Sequence, residues 1–328
     1  MTPRGTRRAL LQAAVGSVVA RIAPRAFGEA RFPARPVTLV VPYPPGGSND
    51  TFARELGKKL GDRWGVPVIV ENRGGAGGSI GAAFVSRAAP DGYTLCLLSS
   101  SFTTNAAIQT SLPFDPVAGF SPVGMVAKGP MLLTVANGLP AKTTQELIAL
   151  ARKSPGKLNY GSSGQGSTNQ FATELFMEAA QIRMTHVPYK GMSPAVTDVI
   201  AGHVDVLVAS APSIYQQVKA GKVRGLGVTS AGPSRVVPDL PPVAANGAPG
   251  YHFELWWGVL APPGTPAEIV ALVNADMNRI LATSEMREVF AREGAEAAPL
   301  SPAQFAQVIR DEIAGWKKVA AAAHITPE

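Results

Sequence analysis

Two glycine-rich stretches carry the strongest chemical signal in this sequence, Pro44-Pro-Gly-Gly-Ser-Asn-Asp50 and Gly161-Ser-Ser-Gly-Gln-Gly-Ser-Thr-Asn169. Each follows an apolar, strand-like run and opens a helical pattern. Glycine lets backbone approach a ligand closely. A helix start offers unpaired N–H groups and the positive end of the helix dipole. Serine and threonine hydroxyls add donors that rotate to suit. Two such ends facing one cleft form an anion site that needs no arginine.

Enzyme readings fail on spacing. Gly75-Ala-Gly-Gly-Ser-Ile80 places Ile80 where a dinucleotide fingerprint requires glycine, and positions 95–101 hold no acid for a ribose. Gly161-Ser-Ser163 is followed by Gly164 and Gln165, one place off a nucleophile elbow. His186, His203, His252 and His324 show no metal-ligand spacing with each other or with Cys96. No catalytic residue, metal or cofactor is therefore expected. Asp50, at a helix start, is read as the brace of the first glycine loop rather than a base. Cys96 is read as a buried strand thiol, His186 as a structural histidine, and Trp256-Trp257 as core packing.

The elements that must position these loops alternate between strand and helix, the pattern of βαβ units with parallel strands. Strands are expected over 37–42, 66–71, 93–98, 157–161, 204–209 and 223–228, and helices over 50–64, 80–89 and 168–180. Thr143-Thr-Gln-Glu146, Thr265-Pro-Ala-Glu268 and Ser301-Pro-Ala-Gln304 read as capping boxes opening three more helices. In open α/β sheets a ligand sits beyond the carboxyl ends of the strands, which is where both glycine loops fall. The Pro/Gly-rich segment 238–250 reads as a crossing between lobes.

At 328 residues the chain is long enough for two α/β lobes. Hydrophobic content of 46% with 16% charged is globular. Arg4, Arg7 and Arg8, the apolar stretch from Ala9 to Ala20 and Gly28-Glu-Ala30 have the anatomy of an export signal, by the general or the twin-arginine route. Residues 1–30 hold five arginines against Glu29, so the remainder carries only +3 of the formal +7. With no basic run or aromatic interleaving, nucleic-acid binding has no footprint.

Across about 290 residues the chain resembles the periplasmic solute-binding receptors of tripartite tricarboxylate transporters, the Bug family. The residues that carry the resemblance run in family order. They are Pro36-Val-Thr-Leu-Val-Val-Pro-Tyr-Pro-Pro-Gly-Gly47 with Asp50, Val70-Glu-Asn-Arg73 with Gly75-Ala-Gly-Gly78, Ala89-Pro-Asp-Gly-Tyr-Thr94, Leu112-Pro-Phe-Asp-Pro116, Asn159-Tyr-Gly-Ser-Ser-Gly164, His186-Val-Pro-Tyr-Lys-Gly191 and Ala261-Pro-Pro-Gly-Thr-Pro266. Gly74 replaces the family's usual proline, and Ser99-Ser-Ser-Phe-Thr-Thr-Asn105 departs from the usual version of that segment.

The resemblance implies a type II periplasmic-binding fold, α/β, with two lobes each built on a mixed, mostly parallel sheet flanked by helices. Residues 31–133 and 251–328 would form one lobe and 134–250 the other. It implies a non-enzymatic receptor, periplasmic and monomeric, that holds a small carboxylate (a di- or tricarboxylate, an amino-acid or an aromatic acid) for the membrane permease subunits of a tripartite transporter. A ligand-sensing receptor for a signalling partner, or a periplasmic hydrolase or isomerase, are the alternatives. Expected around the ligand are Gly46, Gly47, Ser48 and Asp50 from the first loop and Ser162, Ser163, Gly164, Gln165, Ser167 and Thr168 from the second. Tyr43, Ser101, Phe102, Thr103, Tyr189 and Ser210 complete the set, Phe102 as a surface on which an aromatic ring could stack.

Overall fold

The computed structural model describes residues 32–327, so the expected export signal at 1–30 lies outside the described residues. The chain begins with β1 (Val37–Val41), α1 (Ser48–Trp64), β2 (Val68–Asn72), α2 (Ser79–Ser86), β3 (Thr94–Ser99) and α3 (Ser101–Ile108). It continues through β4 (Ser121–Val135), α4 (Thr144–Lys153), β5 (Asn159–Ser162), α5 (Thr168–Ala180), β6 (Thr185–Pro188) and α6 (Met192–Ala201). Then come β7 (Val206–Ser210), α7 (Ala211–Lys219), β8 (Arg224–Val228) and β9 (Glu254–Ala261). The last elements are α8 (Ala267–Leu281), α9 (Ser284–Arg292), β10 (Glu296–Ala297) and α10 (Pro302–Ala322).

Local sequence explains most of these boundaries. The β-branched run of β1 is almost wholly buried, as a strand covered on both faces must be. Thr143 caps α4 by accepting from the Glu146 N–H at 3.1 Å. Ser301 and Gln304 close a reciprocal capping box on α10, with Pro302 at the first helical position. The box expected at 265–268 does not form. The Thr265 hydroxyl instead donates back to the Pro262 carbonyl at 2.8 Å, and Pro266 stands at the cap of α8.

Two parallel trios, β2-β1-β3 and β6-β5-β7, lie at either side of a continuous mixed sheet in the order β2-β1-β3-β9-β4-β7-β5-β6. The joining strands are antiparallel. β4 pairs with β9 from Ser121 to Pro130, then with β7 and β8 from Met131 to Val135. This one strand therefore carries the chain from the first half of the sheet to the second.

Thr229, fully buried just after β8, ties the return path. Its hydroxyl oxygen lies 2.8 Å from the Met131 nitrogen, 3.1 Å from the Met131 oxygen and 2.6 Å from the Phe253 oxygen. Segment 238–250, expected as a crossing, packs beside β8 instead. The Val243 N–H donates to the Val228 carbonyl, and Val243 is buried in the core of the second half. The chain returns to the first half only at β9.

Each half buries its own apolar centre. Phe102, Phe120, Trp256, Phe305 and Ile309 centre the first, and Tyr160, Phe171, Phe176, Val206 and Val208 the second. Cys96 is among the fully buried strand residues, and burial pushes its thiol well above the ordinary range, so it is inert. Asp276 on α8 pins the C-terminal end of α1 by accepting from Arg63 at 2.5 Å and from the Trp64 indole at 2.8 Å. That anchorage fixes the direction in which the start of α1 points.

Candidate functional site

The loops β1–α1, β3–α3, β5–α5 and β7–α7 leave the carboxyl ends of the equivalent strands of both trios. All four meet on one cavity of about 450 Å³, within the size range of small-ligand sites. Its wall includes Tyr43, Gly47, Ser48, Asn49, Ser99, Ser100, Ser101, Thr168, Ser210, Trp257 and Glu293, and Gly129 and Pro130 from the crossing strand. Four helix starts, those of α1, α3, α5 and α7, thus contribute to a wall with no Lys, Arg or His among its residues. Helix starts of this kind favour negative charge, and backbone N–H groups do the binding.

The first loop is held by charge. Asp50, 7% exposed, accepts from the Gly46 N–H at 3.1 Å, from Asn72 Nδ2 at 3.0 Å and from Arg54, whose guanidinium reaches both carboxylate oxygens. The Arg54 hydrogen bonds above all, with those of Asn72 and Gly46, hold the Asp50 carboxyl below its ordinary range against the opposing effect of burial. Ser48 donates its hydroxyl to Glu293 Oε2 at 2.7 Å, tying the start of α1 to the end of α9. Gly47 faces open space: a Cβ built there meets nothing within 4 Å.

Neutral groups hold the second loop. Ser163 donates to Asn169 Oδ1 at 2.8 Å, Asn169 Nδ2 donates to the buried Val208 carbonyl at 2.8 Å, and the Gly166 N–H donates to Gln170 Oε1 at 2.7 Å. Ser167 caps α5 through the Gln170 N–H. Ser162 is fully buried, its oxygen 2.7 Å from His186 Nε2. The His186 ring stacks on Tyr160 at 4.9 Å, and burial pushes its pKa below the ordinary imidazole value. His186 is the structural histidine that its setting in the sequence suggested.

Of the residues expected around a ligand, Tyr43, Gly47, Ser48, Ser101, Thr168 and Ser210 lie on the cavity wall. Tyr43 and Ser101 are joined through their hydroxyls at 2.7 Å. Gly46, Asp50, Ser162, Ser163, Gly164 and Ser167 are off that wall and hold the two loops in shape, and Gln165 is off it as well. Tyr189 donates its hydroxyl to Asp198 at 2.7 Å, away from the cavity.

Phe102 and Thr103 are corrections, because α3 turns both inward. Phe102 is 6% exposed and packs on Phe114 and Phe120, so no ligand ring can stack on it. Thr103 is fully buried and donates to Glu312 Oε2 at 2.7 Å. Burial raises the pKa of that carboxyl, and the Thr103 and Trp256 hydrogen bonds offset the rise in part.

Sequence reasoning did not name Asn49, Trp257 or Glu293 as ligand contacts and had Ser99 and Ser100 only as part of the segment 99–105; all five lie on the wall. Three of them carry buried polar atoms without a protein partner: Asn49 Oδ1, Ser100 Oγ and Trp257 Nε1. Buried polar atoms are nearly always paired, so three orphans on residues of one cavity wall set that wall apart from the packed core. Trp257 also packs edge-on against Phe52 at 4.9 Å, so its ring is core as well as cavity wall.

The family model for the tripartite tricarboxylate transporter family receptor matches residues 52–325. The chain belongs to this family. Bordetella pertussis BugT, a relative of this receptor, is 36% identical over 88% of the chain and 89% of BugT. The solved structure of Rhodopseudomonas palustris Rpa4515 with adipate is 37% identical, with a TM-score of 0.76 over 90% of this receptor and all of that chain. MatC from Rhodopseudomonas palustris, solved with bound malate, is 32% identical, with a TM-score of 0.72 over 88% of this receptor and 99% of that chain. The receptor thus has the mixed α/β fold of the periplasmic solute-binding proteins. No helix of the described residues is long and apolar enough to cross a membrane.

Proposed function

We propose that this receptor captures a small carboxylate in the cavity between the two halves of its sheet and delivers it, outside the cytoplasm, to the membrane subunits of a tripartite transporter. The observation that carries the reading is the convergence of four helix starts on a wall with no basic side chain. Adipate in one relative and malate in another support the ligand class. Residues 1–30 would serve as the export signal, and the mature chain would work as a monomer.

Two lobes, 31–133 with 251–328 and 134–250, would close on the ligand about the crossing in β4 and the Thr229 tie. The closed form is favoured by whatever contacts the ligand makes only there. Three groups that could support turnover, Ser162, His186 and Asp50, are held off the cavity wall. Ser162 and His186 make a hydroxyl–imidazole pair, but Ser162 is fully buried and off the cavity wall. Asp50 is occupied by Gly46, Arg54 and Asn72. These placements support reversible capture over turnover at Ser162, His186 or Asp50.

The test is a thermal-shift screen of mono-, di- and tricarboxylates, amino acids and aromatic acids, followed by calorimetry and mass spectrometry of the recovered ligand. A ligand at a hundred times its dissociation constant raises stability by about 2.7 kcal/mol, a readable shift. A stoichiometric hit recovered unchanged is expected. A hit converted to product would make the protein an enzyme, and silence from every carboxylate would remove the ligand class.

A further inference from the structure

The cavity that should hold an anion has an anion on its own wall. Glu293 is the single carboxylate among the wall residues, no Lys, Arg or His accompanies it there, and it takes part in no ion pair among the described residues. Its Oε2 accepts from Ser48, while no protein donor reaches its Oε1 among the described residues. It follows the end of α9, where the helix dipole offers a carboxylate no relief.

The orphan atoms on the same wall have both signs. Asn49 Oδ1 is an acceptor without a donor, and Trp257 Nε1 is a donor without an acceptor. A plain dicarboxylate would satisfy the helix starts. It would also bring a second negative charge into a small, partly desolvated space with Glu293, where like charges in a binding interface are costly. A ligand carrying both a carboxylate and a positively charged donor would meet the helix starts and the free Glu293 oxygen together.

Resting on the reading of the cavity as a carboxylate site, we propose that Glu293 sets its specificity. By accepting a hydrogen bond from a protonated amine, it selects amino-substituted carboxylates over plain di- and tricarboxylates of the same length. Glu293 acts on which ligand binds, and the helix starts act on the carboxylate that all candidates share.

The experiment uses matched pairs that differ only in the amino group: succinate and aspartate, glutarate and glutamate, adipate and 2-aminoadipate. To these are added the amino analogues of any acid that scores in the screen. Calorimetry on the native protein and on Glu293→Gln gives the affinity ratio within each pair. The native protein should favour the amino member by about tenfold or more, the scale of one hydrogen bond to a charged group. Glu293→Gln should shrink that ratio to roughly threefold or less, chiefly by losing the amino member.

Equal or tighter native binding of the plain acid would overturn the proposal. So would a preference that survives in Glu293→Gln, or a variant that weakens both members alike, which is the mark of a merely structural tie to Ser48. The ligand-free melting temperature of the variant checks its fold, and if it does not fold, the native ratio decides alone. If no carboxylate binds either protein, the carboxylate reading fails first and carries this one with it.

Discussion

The loops β1–α1 and β5–α5 follow the middle strand of each parallel trio and start a helix at the same cavity, yet different chemistry holds them. Asp50, Arg54 and Glu293 clamp the first. Amides, hydroxyls and a neutral histidine hold the second. Similar glycine content also conceals opposite packing: Gly47 fronts open cavity, whereas a Cβ at Gly166 would lie 2.3 Å from Ile108 Cδ1. The first loop presents its backbone to a ligand. The second presents mainly Thr168 and uses Gly166 to sit close to Ile108 at the end of α3.

The largest effect should come from filling that open space. Gly47 has φ −91°, which any residue adopts, and it caps α1, so Gly47→Leu should fold at a cost of about 1 kcal/mol, that of an apolar residue at a helix N-cap. Its side chain would occupy the ligand's place, and affinity should fall on the order of a hundredfold, more than one charge-assisted hydrogen bond is worth. Gly166→Leu should show the reverse emphasis. At φ +71° the left-handed backbone alone costs about 1–2 kcal/mol, and Ile108 must move as well. Calorimetry beside urea unfolding separates the two. Equal loss of affinity with no loss of stability in both variants would break the contrast.

The second prediction concerns pH. Asp50 has a depressed pKa, so its contribution is fully present above the ordinary carboxylate value and is lost as pH falls through its folded value. His186 is also depressed, by burial. The unfolded chain therefore gains its proton first, and stability drains as pH falls below about 6.5. Acid should accordingly loosen the second loop before the first. Asp50→Asn should cost about 2 kcal/mol near neutral pH, with the gap to the native protein closing in the carboxylate range. His186→Gln should remove the loss that begins near the imidazole range. Stability profiles of the three proteins from neutral to acid pH check this, and a single shared window would erase the difference between the loops.

How much of this was legible in the sequence follows from which signals are local. β1, α1 and α5 stand out because an uninterrupted apolar run, a loop and a cap lie side by side. β4 does not, although it is the strand that joins the halves. Pro122, Gly124, Gly129 and Pro130 punctuate it like turns; the sheet absorbs the first two at a register shift opposite β9 and carries the last two in regular register. The glycine loops were readable as helix starts. Glu293 was not, since it belongs to no motif and meets Ser48 across 245 positions. Phe102 and Thr103 misled because a row of hydroxyl residues reads as a donor strip until α3 supplies a period that turns one of them onto Glu312.

The smallest expected effect tests whether the loop hydroxyls belong to the ligand or to the frame. Ser48 and Ser163 look alike in sequence, each beside a glycine and near a helix start, and both were expected to donate to the carboxylate. In the folded chain each hydroxyl is already committed, Ser48 to Glu293 at 2.7 Å and Ser163 to Asn169 at 2.8 Å. A hydroxyl has one proton to give. Ser48→Ala and Ser163→Ala should therefore each cost roughly 1 kcal/mol of stability while leaving affinity for a carboxylate within about threefold, less than one neutral hydrogen bond is worth. The pair also separates the loops. Ser48→Ala frees a Glu293 oxygen, so it should if anything sharpen a preference for amino-substituted ligands, whereas Ser163→Ala should leave that preference untouched. A tenfold loss of affinity in either variant, measured by calorimetry with the best ligand of the screen, would mean that the hydroxyl leaves its protein partner on binding and that the ligand's carboxylate, not the loop, is its acceptor.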